Sequence, residues 1–469
     1  MRNLSNNIRL ADSLAARIGP AGDVQDILNW LIERNRQVHV NIDLVDFDRL
    51  SGWHFNSDSG DLEHVSGKFF GIRGVEIHTD GFPLLREHWT QPIIDQPEVG
   101  ILGIICRMID GVLCFLMQAK IEPGNLNCVQ LSPTLQATRS NYMQVHKGKA
   151  PRYLEYFRNA GHHQIWLDQL QSEQGGRFLR KRNRNIVIEI EEEVSSHPDF
   201  LWVTLGQLKA LMRHDNVVNM DTRTVLSGLG WEDCDVLPVR DRICTDRGCA
   251  VFRSLEKKAG GQGINRTLFW LSELKSRYSL NTRLIPLNQV KEWEIRAGEI
   301  VRPDRLFFRV IGAQVTIENR EVASWAQPLI QPMQDGLCAL IMKQIDGVMH
   351  FLVQAKLECG NLDVVELAPT VQCLTGSFRS GRPAFLDYVL DARQEQIIFD
   401  INQSEEGGRF YHEQNRNLLL EAEEDFPKDE IPDNFRWVTL QELREFLRFN
   451  NYLNIQLRSL LAAIDLFKL

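Results

Sequence analysis

The stretch Gln118–Gln136, QAKIEPGNLNCVQLSPTLQ, returns 236 residues later as Gln354–Gln372, QAKLECGNLDVVELAPTVQ, with twelve of nineteen positions identical. Solenoid repeats run about 20–50 residues. A copy this distant in a 469-residue chain therefore means one domain present twice. Two related domains give two candidate pockets.

Just upstream, GILGIICRMIDGVLCFLMQAKIE and LCALIMKQIDGVMHFLVQAKLE each set an Asp-Gly pair, Asp110-Gly111 and Asp346-Gly347, between apolar runs. Both central residues of a type I′ turn need positive φ, so Asp-Gly here predicts a tight hairpin and an antiparallel sheet in each domain. Side chains alternate along a strand, which puts Lys120 and Glu122 on one face, as it does Lys356 and Glu358. Downstream, PRYLEYFRNA and RPAFLDYVLDA read as helices opened by proline. SEQGGRFLRKRNRNIVIEIEEE (172–193) then matches SEEGGRFYHEQNRNLLLEAEED (404–425). Apolar alternation over Ile186–Ile190 predicts a strand after the Gly-Gly turn. Both domains close on Trp-Val-Thr-Leu, where Thr204 with Gln207 and Thr439 with Glu442 fit capping boxes ahead of a helix.

The expected class is α+β: two tandem domains from internal duplication, each a mixed or antiparallel sheet with flanking helices. Residues 1–40 form an N-terminal helical arm, 41–227 the first domain, 228–280 a connection unlike anything else in the sequence, and 281–469 the second domain. DVQDILNWLIERNRQV in the arm and TLFWLSELKSRY in the connection both carry helical spacing, and AGGQG (259–263) marks a flexible point.

A net charge of −9, with 43% hydrophobic and 25% charged residues, is ordinary for a globular chain. It offers no general attraction to nucleic acid or anionic lipid, so a phosphate-bearing ligand needs a local set of donors. The N-terminus lacks the apolar core of a signal peptide and no run reaches transmembrane length, so a cytoplasmic protein is expected. Nine cysteines without paired spacing fit a reducing compartment. Cys106, Cys114 and Cys128 lie in or near strand-like apolar runs, while Cys234, Cys244 and Cys249 lack the spacing of a zinc knuckle.

Lys120 with Glu122 suits a general base beside an electrophilic or phosphate-binding lysine, and equally an internal ion pair common to both copies. Where the copies differ, Arg139, Ser140, Asn141 and Tyr142 face Thr375, Gly376, Ser377 and Phe378, so a guanidinium and a phenol are lost together. A phenol can donate to a leaving group or an oxyanion, and drift on a loop accounts for the difference equally well. Arg184 and Arg416 in Asn-Arg-Asn contexts, and Arg177 and Arg409 after Gly-Gly, offer forks for a diphosphate or salt bridges to neighbouring acids. Trp53 and Trp293 suit stacking on a base, or a core. The Glu189–Glu193 run lacks the spacing of a Nudix metal site.

Taken together, three features carry a resemblance from about Asp43 to the C-terminus: Val217–Ser227 (VVNMDTRTVLS), Ser172–Gly176 with Lys181–Asn185, and the two QAK-x-E-x-GN-L blocks. The chain resembles the NDP-hexose 2,3-dehydratases of deoxysugar biosynthesis. The resemblance implies Nudix-like domains, a homodimer, a dTDP-linked 4-keto-6-deoxy sugar as substrate, and one catalytic pocket per subunit with the other a remnant. By position it places Trp53, Thr138–Tyr142 and Ser172 around one nucleotide-sugar, and Trp293, Lys356 and Thr375–Phe378 around the other or across the pocket wall. The implied chemistry eliminates the C2 hydroxyl to give a 3,4-diketo-2,6-dideoxy sugar. Oxidation at C3 balances oxygen lost at C2, so no redox cofactor is expected, nor a metal if Lys or Arg stabilise the enolate. Tyr142 or Glu122 would handle the proton, Lys120 and Arg139 the negative charge, and Trp53 the base. The product would pass to a 3-ketoreductase. A nucleotide-diphosphosugar hydrolase and a non-catalytic nucleotide-sugar binder are the alternatives.

Overall fold

The two Asp-Gly hairpins are the seed of each half in the computed structural model, which describes residues 2–139, 150–230, 240, 242–243, 245–256, 263–296, 298–320, 322–375 and 381–469. Asp110 and Gly111 have φ of 48° and 79°, and Asp346 and Gly347 of 50° and 80°, as a type I′ turn requires. They join Gly100–Ile109 to Val112–Ile121 and Gly336–Ile345 to Val348–Lys356. Arg182–Glu189 runs parallel to the first strand of its hairpin, with Gln164–Ser172 outside it and Phe200–Thr204 on the opposite edge. The second half repeats this order with Ile397–Ser404, Gln414–Glu421 and Phe435–Thr439, so each half holds a seven-stranded mixed sheet. Both capping boxes form as expected, and Ile186–Glu189 lies in a strand, with Ile186, Val187 and Ile188 all buried rather than alternating.

Two features depart from a simple tandem. First, the smaller sheets exchange strands. Val40–Val45 pairs antiparallel with Phe308–Ile317 of the second half, while Leu280–Ile285 pairs with Gly71–Thr79 of the first. The sheets therefore do not follow the 41–227 and 281–469 division. Second, the arm and the connection hold the same pair of helices. Arg2–Ala15 and Asp246–Leu255 pack on the returning strands Val112–Ile121 and Val348–Lys356. Ser13 Oγ accepts from Leu205 N–H at 2.9 Å and Ser254 Oγ from Leu440 N–H at 2.8 Å. Val24–Gln37 and Gly263–Arg277 then lead into the two exchanged strands. The connection, unlike anything else at the level of residues, is thus the second copy of the arm in structure. Sequence identity was lost here because a helix packed on one face constrains only its buried stripe.

The halves lock together through the QAK-x-E-x-GN-L blocks. Gly124 N–H donates to Gly407 O at 2.7 Å and Gly360 N–H to Gly175 O at 2.6 Å. A Cβ on Gly124 would stand 1.6 Å from Phe410 O, and one on Gly360 1.8 Å from Phe178 O, so only glycine fits either place. Buried Arg223 reaches Gln403 and Ser404 across the boundary, and buried Arg458 reaches Ser172 and Thr224. Cys106 and Cys114 are buried and Cys128 half-buried. Cys234, Cys244 and Ala259–Gln262 of AGGQG lie outside the described residues. Among the described residues no helix is long and apolar enough to cross a membrane.

Candidate active site

Each returning strand brings its Lys and Glu together at its end rather than along it: Lys120 lies in Val112–Ile121 with Glu122 just beyond, and Lys356 ends Val348–Lys356 with Glu358 two residues on. Lys120 Nζ donates to Gln136 O at 3.0 Å and stands 3.9 Å from Glu122 Oε1, which accepts from Gln136 Nε2 at 2.9 Å. Asn219, the N-cap of helix Met220–Gly228, donates to Gln136 Oε1 at 3.2 Å. The second half repeats the network: Lys356 to Gln372 O at 3.2 Å, Gln372 to Glu358 at 3.2 Å, and the N-cap Asn454 to Gln372 Oε1 at 2.6 Å. A network preserved in both halves holds strand, loop and helix in one arrangement.

Beside the first network lies a cavity of about 520 Å³, within the range of small-molecule sites. Both halves build it. The first supplies Trp53, Lys120, Glu122, Thr138, Lys181 and Asp221; the second supplies Arg320, Trp325, Glu406 and Arg409. Glu173 and Asn183 also line it, joined by an amide-to-carboxylate bond of 2.6 Å. Because Gly124 touches Gly407, the Glu122 loop and the Glu406–Arg409 turn meet at the cavity wall.

The electrostatics are set by crowded acids. Burial, then Glu406, Glu173 and Glu122, lift the Asp221 carboxyl well above the usual range against the pull of Lys120. Asp221 sits in the first turn of its helix, where the dipole favours the carboxylate, yet burial and three acidic neighbours outweigh that. Burial and Glu122 push Glu406 up to about 7. Burial raises Glu173 and lowers Lys181, whose ammonium donates to Glu98 O. Four cationic side chains, Lys120, Lys181, Arg320 and Arg409, line the cavity with four carboxyls, and His64 lies beside them. The upward shifts of Asp221 and Glu406 weaken the acidic side of this balance, which suits an anionic ligand.

Of the residues singled out in the sequence, Trp53, Lys120, Glu122 and Thr138 come together here. Trp53 is 8% exposed, packs on Phe70 with centroids 5.0 Å apart and donates its indole N–H to Ala326 O at 2.7 Å. Arg409 lies over the Phe70 ring at 4.1 Å and donates to Gly408 O and Gln96. Ser172 instead donates to Glu366 at 2.8 Å in the boundary between halves. Arg184 forms a two-pronged pair with Asp168 at 2.7 and 2.6 Å, and Arg416 does the same with Asp400. Trp293 packs on Phe308, over whose ring Arg177 lies at 4.3 Å, on the side of the second network. Thr375 Oγ1 donates to Asp335 O at 2.9 Å. Arg139 is exposed; Ser140, Asn141, Tyr142, Gly376, Ser377 and Phe378 lie outside the described residues.

Sequence reading missed Asp221, Glu173, Glu406, Lys181, Arg320 and Trp325. The signal for two of them was present: Asp221 stands two residues after Asn219, where Gln456 follows Asn454, and Glu406 stands in the Gly-Gly block where the first copy has Gln174.

A sequence model of the family described as NDP-hexose 2,3-dehydratase matches residues 24–229 and 265–464. A Saccharopolyspora spinosa protein named dTDP-4-dehydro-6-deoxy-alpha-D-glucopyranose 2,3-dehydratase is 45% identical over 464 residues, covering 98% of this chain and 95% of that protein. Proteins of the same name from Streptomyces violaceoruber and Amycolatopsis orientalis are 43% and 40% identical, covering 93% and 97% of this chain and 95% and 93% of their own. The chain belongs to the NDP-hexose 2,3-dehydratase family.

Proposed function

We propose that the chain is a hydro-lyase that removes water across C2 and C3 of dTDP-4-keto-6-deoxyglucose, giving a 3,4-diketo-2,6-dideoxy sugar for deoxysugar biosynthesis. The observation that carries this reading is the cavity beside Lys120, in a chain whose relatives bear that enzyme's name across nearly their whole length. The C4 carbonyl acidifies the C3 hydrogen. Glu122 or Tyr142 takes that proton, and Lys120, held 3.9 Å from Glu122, offsets the charge that develops on the enolate. The C2 hydroxyl then leaves as water and the enol tautomerises. Arg409 and Arg320 from the second half suit the diphosphate. Thr138 lines the cavity with Arg139 next to it in the chain, and Trp53, also in the lining, is assigned to the base.

Each half, a mixed sheet with flanking helices, is read as a Nudix-like unit. The site around Lys356, Trp293 and Thr375–Phe378, with Ser172 in the wall between, is read as the remnant pocket. A cytoplasmic homodimer that passes its product to a 3-ketoreductase completes the reading. The strands Val40–Val45 and Leu280–Ile285 support pairing between subunits: each lies at the edge of its sheet, with Leu44 and Leu284 exposed.

Mass spectrometry of the protein with dTDP-4-keto-6-deoxyglucose, with a 3-ketoreductase and its nicotinamide cofactor as trap, tests the reaction. Loss of one water is expected. Release of nucleoside monophosphate would mean a hydrolase, and unchanged nucleotide-sugar bound tightly would mean a binder.

A further inference from the structure

The polar network around Lys120 has a near copy around Lys356, yet two carboxyl groups of the cavity have no counterpart there. Asn219 and Asn454 cap equivalent helices and hold equivalent glutamines, Gln136 and Gln372. Two residues on, the first helix has Asp221 and the second Gln456. The Gly-Gly turns are likewise superposable by their bonds: Gln174 O accepts from the N–H groups of Arg177 and Phe178, as Glu406 O does from those of Arg409 and Phe410. Glu406 of the second half faces the first cavity. Its equivalent on the other side is Gln174, so both carboxyls of one site are primary amides in the other. An amide reproduces the shape and hydrogen bonds of a protonated carboxylic acid but cannot give up a proton. A pair needed only for packing and hydrogen bonding would be served equally by amides, as the second half demonstrates.

We propose that Asp221 is the catalytic acid that protonates the departing C2 hydroxyl, and that Glu406 is a positioning residue that keeps the proton on Asp221. This rests on the dehydratase reading and names the group that reading leaves open. Asp221 lines the cavity, as does Glu122. The Glu122 carboxylate takes the C3 proton, and the C–H electron pair becomes an enolate with the C4 carbonyl. Collapse of the enolate expels the C2 oxygen with its bonding pair, and the Asp221 proton joins it to make water. Carbon C2 of the enol then receives the proton held by Glu122 while the enol oxygen returns one to Asp221. Both carboxyls end as they began, and no oxidant or reductant is consumed.

The groups facing Asp221 are Glu406, Glu173, Glu122 and Lys120, with Lys181, Arg409, Arg320 and His64 around the same cavity. Three of the four groups whose charges act most on it are acids, and ionised neighbours of like charge hold a proton on a carboxyl. Burial works in the same direction.

The test pairs two substrates. Asp221→Asn is expected to lower water loss from dTDP-4-keto-6-deoxyglucose by about 10²–10⁴-fold while exchanging the C3 hydrogen with solvent deuterium, since the base step does not use the acid. Fluoride departs without a proton, so the variant should release it from the 2-deoxy-2-fluoro analogue at close to the wild-type rate. Equal losses on both substrates would assign Asp221 a structural role and overturn the proposal, as would turnover of the natural substrate within about threefold of wild type. Glu406→Gln supplies the second readout. Asp221 acts while protonated, so activity falls as pH rises through its pKa. Removing a neighbouring negative charge lowers that pKa, so the alkaline limb should move to lower pH by about one unit. An unmoved limb would remove Glu406 from the role. Gln456→Asn, at the equivalent helix position of the other half, serves as the control and should leave both rates unchanged. If the wild type releases no water at all, the dehydratase reading fails rather than this assignment.

Discussion

The polar clusters around Lys120 and Lys356 are built to one plan and differ in the groups that can exchange protons. Lysine, glutamate, glutamine and capping asparagine are common to both, bonded in the same pattern. Asp221, Glu406 and Lys181 of the first give way to Gln456, Gln174 and Glu413 around the second. The shared part explains why two sheets, two helices and two loops meet as they do, and the differing part is where we place the chemistry. The lysine–glutamate pair at the end of each returning strand is thus a frame common to both halves, and under the proposed assignment the side chains around it decide which side eliminates water. The acid assignment for Asp221 is the sharpest way to break this division, since asparagine at the twin position, Gln456, should do nothing.

The clasp between the halves ranks next in expected effect. Gly124→Ala and Gly360→Ala each drive a methyl into a backbone carbonyl that lies 1.6 or 1.8 Å from the ideal Cβ. Neither carbonyl can withdraw without unseating the opposite Gly-Gly turn, so each variant should lose about 3 kcal/mol or more of stability. Denaturant unfolding measures it. Residual soluble Gly124→Ala should also lose turnover, because its loop carries Glu122 to the Glu406 turn, whereas Gly360→Ala shifts only the side facing Glu358. Equal turnover per folded molecule would break the claim that the Lys120 cavity is the working one.

Much of this frame was legible because it depends on local rules. Asp110-Gly111 and Asp346-Gly347 dictate their turns, Thr204 and Thr439 their caps, and the 236-residue offset the duplication. Strand exchange was not legible: nothing in Val40–Val45 distinguishes its own half's hairpin from the other's, since both present the same kind of edge. The helices of the connection were read as unique because only their spacing, not their residues, repeats. The cavity escaped for a further reason. Asp221 and Glu406 act on each other across the boundary between halves, and only the clasp of Gly124 on Gly407 brings their segments together. Of the two roles the sequence left open for Arg184, a diphosphate fork or a salt bridge, it forms the second, with Asp168.

Buried acids on both sides of the boundary give a smaller, pH-dependent effect. Glu405 is pushed up to about 8, and Glu406 and Glu366 to about 7, each chiefly by burial. An unfolded glutamate titrates near 4.3, so between that value and 7–8 the folded chain holds protons that the unfolded chain has released. Stability must then fall as pH rises through this window, on the order of 1.4 kcal/mol per group for each unit by which its pKa is raised. The unfolding midpoint should be several degrees lower at pH 8.5 than at pH 6. Glu405→Gln, which keeps an acceptor for Asn415, should flatten the slope. A midpoint indifferent to pH would mean that these carboxyls are solvated or paired more strongly than their surroundings imply.

The smallest expected difference separates two positions that the sequence makes equivalent. Thr204 and Thr439 each accept from the N–H three residues on, at 3.1 and 3.3 Å, and a cap of this kind contributes about 1 kcal/mol. Their hydroxyl protons go to different places. Thr439 donates to Glu442 Oε2 inside its own capping box at 3.0 Å, whereas Thr204 donates to Ala16 O at 2.6 Å and so ties the N-terminal helices to the first domain. Replacing Thr439 with alanine leaves Glu442 its bonds to Thr439 N and Thr267 Oγ1. Replacing Thr204 leaves the Ala16 carbonyl without that donor, at a further cost of about 1 kcal/mol. Thr204→Ala should therefore destabilise the protein about twice as much as Thr439→Ala in denaturant unfolding, with turnover unchanged in both. Equal costs would mean that the helices preceding the two domains are held alike, and that the asymmetry of the molecule is confined to its polar clusters.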